Sequence, residues 1–154
     1  MSTKNKISSL SLTSPAFKQN DFIPTMYTCA GKDISPPLKI EGVPKGTKSL
    51  ALSMHDPDAP AGIWVHWLKW NISPSTIDIA EGVEPHGVSG KGTNNNTKYM
   101  GPCPPSGTHR YIFTLYALTT ELSLHEGSSR DELIHAMSGH ILDQAALVGL
   151  YTAN

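Results

Sequence analysis

The chain has 154 residues with a net charge of −1, 38% hydrophobic and 16% charged residues. That is enough for one undivided domain spanning 1–154 with its own core, and too apolar for a disordered chain. The near-neutral charge argues against a nucleic-acid-binding surface, which needs a basic face, and no apolar run approaches the length of a membrane span. The first residues alternate Ser with Leu and Ile after Lys4 and Lys6, which is not the pattern of a signal peptide. With two cysteines, Cys29 and Cys103, and no CxxC pair, the expectation is two reduced thiols in a cytoplasmic protein, with a single bridge between them left open.

Thirteen Gly and twelve Pro predict many turns and short strands. In chain order, a period of two marks Ile7 to Leu12, then Ser49 to Met54, where Leu50, Leu52 and Met54 share a face. Trp64 to Ile72 and Arg110 to Leu118 are apolar on both faces, which predicts central positions packed on each side. The polar, Gly- and Asn-rich stretch Ser89 to Lys98 predicts a mobile surface loop. Ser129 and Glu132 form a capping box for a helix carrying Leu133, Ile134, Met137 and Ile141, with Gly139 as its stop. Leu147 to Tyr151 predicts a last short strand. The sum is a mainly β fold, a two-sheet antiparallel β-sandwich with a peripheral C-terminal helix.

Three segments carry chemistry. In His55-Asp56-Pro57-Asp58-Ala59-Pro60, an extended chain aims Asp56 and Asp58 the same way, about 6–7 Å apart, while the prolines stiffen the turn. In Trp64-Val65-His66-Trp67, Trp64 and His66 share one side, and Val65 and Trp67 the other. In Gly101-Pro102-Cys103-Pro104-Pro105-Ser106-Gly107-Thr108-His109-Arg110-Tyr111, His109 and Tyr111 share a side and Arg110 faces away, toward a carboxylate. The few N–H groups of that rigid loop suit an anion. If the three strand ends converge, they enclose a small polar cavity with an aromatic wall.

These segments, with Tyr27-Thr28-Cys29-Ala30-Gly31, Ser35-Pro36-Pro37-Leu38 and the closing Leu147 to Tyr151, resemble the phosphatidylethanolamine-binding protein family, in its bacterial Raf-kinase-inhibitor-like branch. The resemblance spans about Ser11 to Tyr151. It implies a Greek-key sandwich with a pocket for phosphate, acetate, cacodylate or a phosphoethanolamine head group. The implied ligand-binding set is Asp56, Asp58, His66, His109 and Tyr111, with Pro60 and Trp64 as walls and backbone donors at Gly101 and Cys103. Three positions depart from the family's pattern: His55 replaces an acid, Met100 a glycine, and Ile40 an aromatic that serves packing.

The resulting expectation is a binding protein for a small anionic ligand, with no cofactor, no nucleic acid and no integral membrane contact. Two carboxylates beside an anion repel it unless the histidines are charged, so affinity is expected to rise as pH falls through the His range. The alternatives are a hydrolase-type enzyme using the Asp/His set, with or without metal, and a protein-interaction or protease-inhibitor module. A homodimer and a kinase or protease partner stay open.

Overall fold

A computed structural model describes residues 8–153. Nine strands form two sheets. The smaller sheet has the order β1 (Ser11–Thr13), β3 (Leu38–Glu41), β6 (Asp78–Ile79). The larger has the order β2 (Asp21–Phe22), β9 (Ile141–Thr152), β8 (Thr108–Leu118), β4 (Ser49–Asp56), β5 (Trp64–Ile72), β7 (Val88–Ser89). One eight-residue helix, α1 (Arg130–Met137), precedes β9.

Three layers follow from the side-chain pattern. Leu50, Leu52 and Met54 of β4 face inward with Tyr111, Phe113 and Leu115 of β8, against Leu12, Leu38, Ile40 and Ile79 of the small sheet. Ile40 is therefore a packing residue, as its place in the sequence suggested. On the outer face of the large sheet, Ala51, Val65, Leu68, Trp70 and Leu118 form a second core with Leu133 and Met137 of α1. This explains why β5 and β8 read as apolar on both faces: each lies between two cores.

Several expectations are corrected. The large sheet is mixed, because β2 runs parallel to β9, and the strand orders do not by themselves trace a Greek key. The expected last strand from Leu147 to Tyr151 follows the helix and is longer than read, running over Ile141–Thr152. The capping box forms as read: Ser129 Oγ accepts from Glu132 N–H and Glu132 Oε1 from Ser129 N–H. The helix ends at Met137, and Gly139, at φ +82°, reverses the chain directly into β9. Ile141, expected on the helix, opens β9 with its side chain exposed. The first predicted strand is shorter than expected: it begins at Ser11, and Ile7 lies outside the described residues.

The stretch from Ser89 to Lys98 is not a loose loop. Ser89 belongs to β7, and Thr93 exchanges two hydrogen bonds with the backbone of Val65. Gly90 N–H donates to Leu68 O, and Asn96 Nδ2 to His66 O. The polar composition supplies side chains that fasten the segment to an edge of β5.

Candidate functional site

Three loops and strand ends meet at one end of the large sheet around a cavity of about 360 Å³. Asp56 ends β4, Trp64 and His66 begin β5, and His109 and Tyr111 begin β8. All five line the cavity, with Pro60, Met100, Cys103, Pro104 and Pro105 completing its walls. Among the described residues, no lysine or arginine lines it.

A bulge in β5 shapes this site. Met54 pairs with Trp67 and His55 with Val65, so His66 is the extra residue on its strand. The strict alternation read from the sequence fails here. Trp67 packs in the core between the sheets, Val65 in the core under the helix, and His66 turns into the cavity. His66 is 3% exposed, and its Nδ1 donates to Met100 O at 2.6 Å. Burial lowers its pKa, outweighing the backbone hydrogen bond and the nearby carboxylates of Asp56 and Asp33. Burial thus favours the neutral ring of His66 and works against the imidazolium expected to draw an anion.

Asp56 is 3% exposed and doubly held. Its Oδ2 accepts from His109 Nδ1 at 2.6 Å, and its Oδ1 accepts from Asp58 N–H at 2.7 Å. Pro57 fixes the turn that makes the second bond. Tyr111 lies between the two histidines, edge-on to His66 and stacked with His109. Its hydroxyl is buried without a hydrogen-bond partner among the described residues, as is Trp64 Nε1. Most buried polar atoms are paired; of the five unpaired ones among the described residues, these two belong to residues that line one cavity.

Two residues of the expected set lie outside the cavity lining. Asp58 is not among the lining residues. Arg110 grips it through Nε and Nη2 at 2.9 and 2.8 Å, and Arg110 N–H adds a third bond at 2.9 Å. Arg110 thus braces a carboxylate, as its position in the strand suggested, and that carboxylate is Asp58. Gly101 also stays outside the lining, because its N–H donates to Asp33 Oδ1 at 2.8 Å. A Cβ at Gly101 would collide with Tyr27 O and with Asp33 Oδ1, so only glycine lets the loop close. His55 is not in the lining either; burial and the charge of Arg130 push its pKa down to about 4.

The cysteines are not free thiols. Cys29 and Cys103 form a disulfide with Cα atoms 5.5 Å apart. It ties the proline-rich wall of the cavity to the segment after a short 3-10 turn at Thr25–Tyr27, beside the hydrogen bond from Cys29 N–H to Pro102 O. Asp33, Asn96 and the Met100 carbonyl position the site and escaped the sequence reading. Nothing in their local sequence marks them, because each acts on a residue far along the chain. Among the described residues, no group of three or more His, Cys, Asp or Glu side chains could hold a metal ion.

A two-sheet β protein with a compact, mostly apolar cavity holding a few convergent polar groups is a small-ligand-binding class. The phosphatidylethanolamine-binding protein family model matches residues 13–152, and the chain belongs to that family. It is 47% identical over 148 residues to a UPF0098 protein of Methanothermobacter thermautotrophicus, covering 92% of this chain and 98% of that protein. A UPF0098 protein of Chlamydia pneumoniae is 46% identical over 147 residues, again covering 92% of this chain and 98% of its own. The crystal structure of a phosphatidylethanolamine-binding protein homologue from Chlamydia trachomatis superposes with a TM-score of 0.92 at 42% identity, covering 96% of this chain and 100% of that one. Escherichia coli YbcL, described as a new member of the mammalian family, superposes with a TM-score of 0.88 at 28% identity over the same shares.

Proposed function

We propose that the protein binds a small oxyanion, free or as the head group of a larger molecule, in the cavity between Asp56, Trp64, His66, His109 and Tyr111. The observation that carries the proposal is the pair of buried, unpartnered donors, Tyr111 Oη and Trp64 Nε1, in residues that line one cavity. Pro60, Met100, Pro104 and Pro105 offer an apolar wall for whatever carries the anion. Asp58 and Gly101 support the site from behind, through Arg110 and Asp33. Cys103 contributes its wall position, fixed by the disulfide.

Binding is placed ahead of turnover. The Asp56–His109 pair has the form of a general base and its orienting carboxylate. Yet among the described residues no lysine or arginine lines the cavity to stabilise charge developing on a reacting oxyanion. The proposal concerns the cavity and brings no kinase or protease partner with it, since a shared fold does not transfer such a role. No helix among the described residues is long and apolar enough to cross a membrane. The Cys29–Cys103 bond favours an oxidising compartment, or the interior of a heat-adapted cell, over the reducing cytoplasm read from the sequence.

The test is a calorimetric or NMR titration of phosphate and phosphoethanolamine into the wild type and His66→Ala. Saturable binding that weakens at least tenfold in the variant supports the site. No saturable binding of either ligand to the wild type sinks it.

A further inference from the structure

The proline-rich wall of the cavity is fastened unevenly. Up to Pro102 the backbone is held at every residue. Tyr99 N–H donates to Glu84 Oε2, Met100 N–H to His66 O, Gly101 N–H to Asp33 Oδ1, and Pro102 O accepts from Cys29 N–H. Beyond the wall, Gly107 O accepts from Ala153 N–H, where the chain enters β8. Between these anchors, residues 103–106 have no hydrogen-bond partner among the described residues. Pro104 and Pro105 have no N–H to offer. What ties the segment down is the Cys29–Cys103 bond.

Cys103, Pro104 and Pro105 of that segment line the cavity. The polar groups, by contrast, stand on strands: His66 on β5, and His109 and Tyr111 on β8, which pairs with β4 and β9. Cys29 has a firm base too. The buried Thr28 beside it donates from Oγ1 to Thr25 O and accepts from Ala30 N–H. The bond thus joins a loosely held wall to a fixed turn. Both cysteines are exposed, and exposed disulfides are the ones open to thiol exchange.

We infer, resting on the anion-site reading above, that Cys29–Cys103 is a redox latch on the cavity. With the bond closed, the wall is in place and the ligand is held. Reduction by a dithiol frees residues 103–106 and weakens binding. One thiolate of the dithiol attacks a sulfur of the bond, the S–S bond breaks, and the other cysteine leaves as a thiolate. The second sulfur of the dithiol then displaces the first cysteine and closes a disulfide in the reductant. Two electrons and two protons pass to the protein, which ends with two thiols. In the reduced chain a ligand must order the wall as it binds, and ordering even one residue is worth about tenfold in affinity. The coupling is reciprocal: a bound ligand makes the bond harder to reduce by the same factor.

The experiment uses the full chain, oxidised and then reduced with dithiothreitol. Backbone amide relaxation by NMR reads the wall without any ligand. The amides of Cys103 and Ser106 should have order parameters near about 0.85 in the oxidised chain and below about 0.6 in the reduced one, with Phe113 and Leu115 unchanged. Phosphate should bind the oxidised chain saturably and the reduced chain at least tenfold more weakly. Phosphate saturating both forms should then lower the midpoint potential of the disulfide by at least about 30 mV. The Cys29→Ser/Cys103→Ser chain, titrated without reductant, should match the reduced wild type and ignore dithiothreitol. Unchanged order parameters, or an affinity change below tenfold, overturns the latch and leaves the anion site standing. Loss of cooperative thermal unfolding on reduction also overturns it, because the bond is then a staple of the whole fold. No phosphate binding by the oxidised chain overturns the anion-site reading, and the relaxation data then decide alone whether reduction frees the wall.

Discussion

Two buried polar clusters draw on β5, and they differ in completeness. In the first, Glu84 accepts from Trp67 Nε1 at 2.9 Å and from Tyr99 N–H at 3.0 Å. Its Oε1 also lies 3.4 Å from Lys69 Nζ, which donates to Ser89 Oγ. Each of these groups has its partner within the protein. In the second, His66 uses one ring nitrogen of two, and Tyr111 Oη and Trp64 Nε1 use none of their capacity. Burial and polarity are similar in both. A closed network fixes the fold, whereas an open one has capacity left for a ligand.

The disulfide fastens the wall of the open cluster through Cys103, and its removal has the largest expected effect. It joins residues 74 apart, so loss of the cross-link costs about 4 kcal/mol by the chain-entropy account. Denaturant unfolding with and without a phosphine reductant measures this. A shift under about 1 kcal/mol would mean that the hydrogen bonds around Tyr99, Gly101 and Cys29 hold the cavity wall without it.

Next is Glu84→Ala. It strands Lys69, which is 6% exposed, with only Ser89 as partner. Breaking a buried pair from one side costs about 3–5 kcal/mol, and the partial exposure of Glu84 sets the expectation near the lower end. Thermal and urea unfolding read it out. A loss below about 1 kcal/mol would make the first cluster as dispensable to the fold as the second and erase the contrast.

Tyr111→Phe probes the open cluster. Removing an unmatched buried hydroxyl should leave stability within about 0.5 kcal/mol of the wild type or raise it. Phosphate affinity should fall about tenfold, which is about 1.4 kcal/mol. A large stability loss with unchanged binding would reverse the assignment and make the hydroxyl structural.

The parts legible in the sequence are those set by local pattern. Alternation placed Leu50, Leu52 and Met54 in the core, and the Ser129–Glu132 capping box started the helix where it begins. Trp64, His66, His109 and Tyr111 were singled out because they sit at strand entrances beside rigid proline turns, and they line one cavity. What escaped is non-local. The bulge at His66 arises from pairing with β4, so alternation misplaced Trp67. Gly101 read as an anion donor because nothing nearby shows that Asp33 takes its N–H. Only the Leu147 to Tyr151 end of β9 was legible, because the other end hides the period behind Asp143 and Gln144.

Asp58 gives the smallest and most discriminating test. The Arg110 guanidinium and backbone N–H hold its pKa down at about 2. A carboxylate depressed in the folded state contributes stability that is fully present above its unfolded pKa, near 4, and is lost as pH falls through about 2. The pair is partly exposed, so its contribution is small and screened by salt. Asp58→Asn should therefore flatten only the acid limb of the stability curve, between about pH 4 and 2, and less so in high salt. Because Asp58 faces Arg110 and not the cavity, phosphate binding at pH 7 should stay within twofold of the wild type. If binding collapses instead, then the carboxylate belongs to the open cluster, as the family resemblance implied. The Asp58 N–H to Asp56 Oδ1 bond would then be the route by which the two act together.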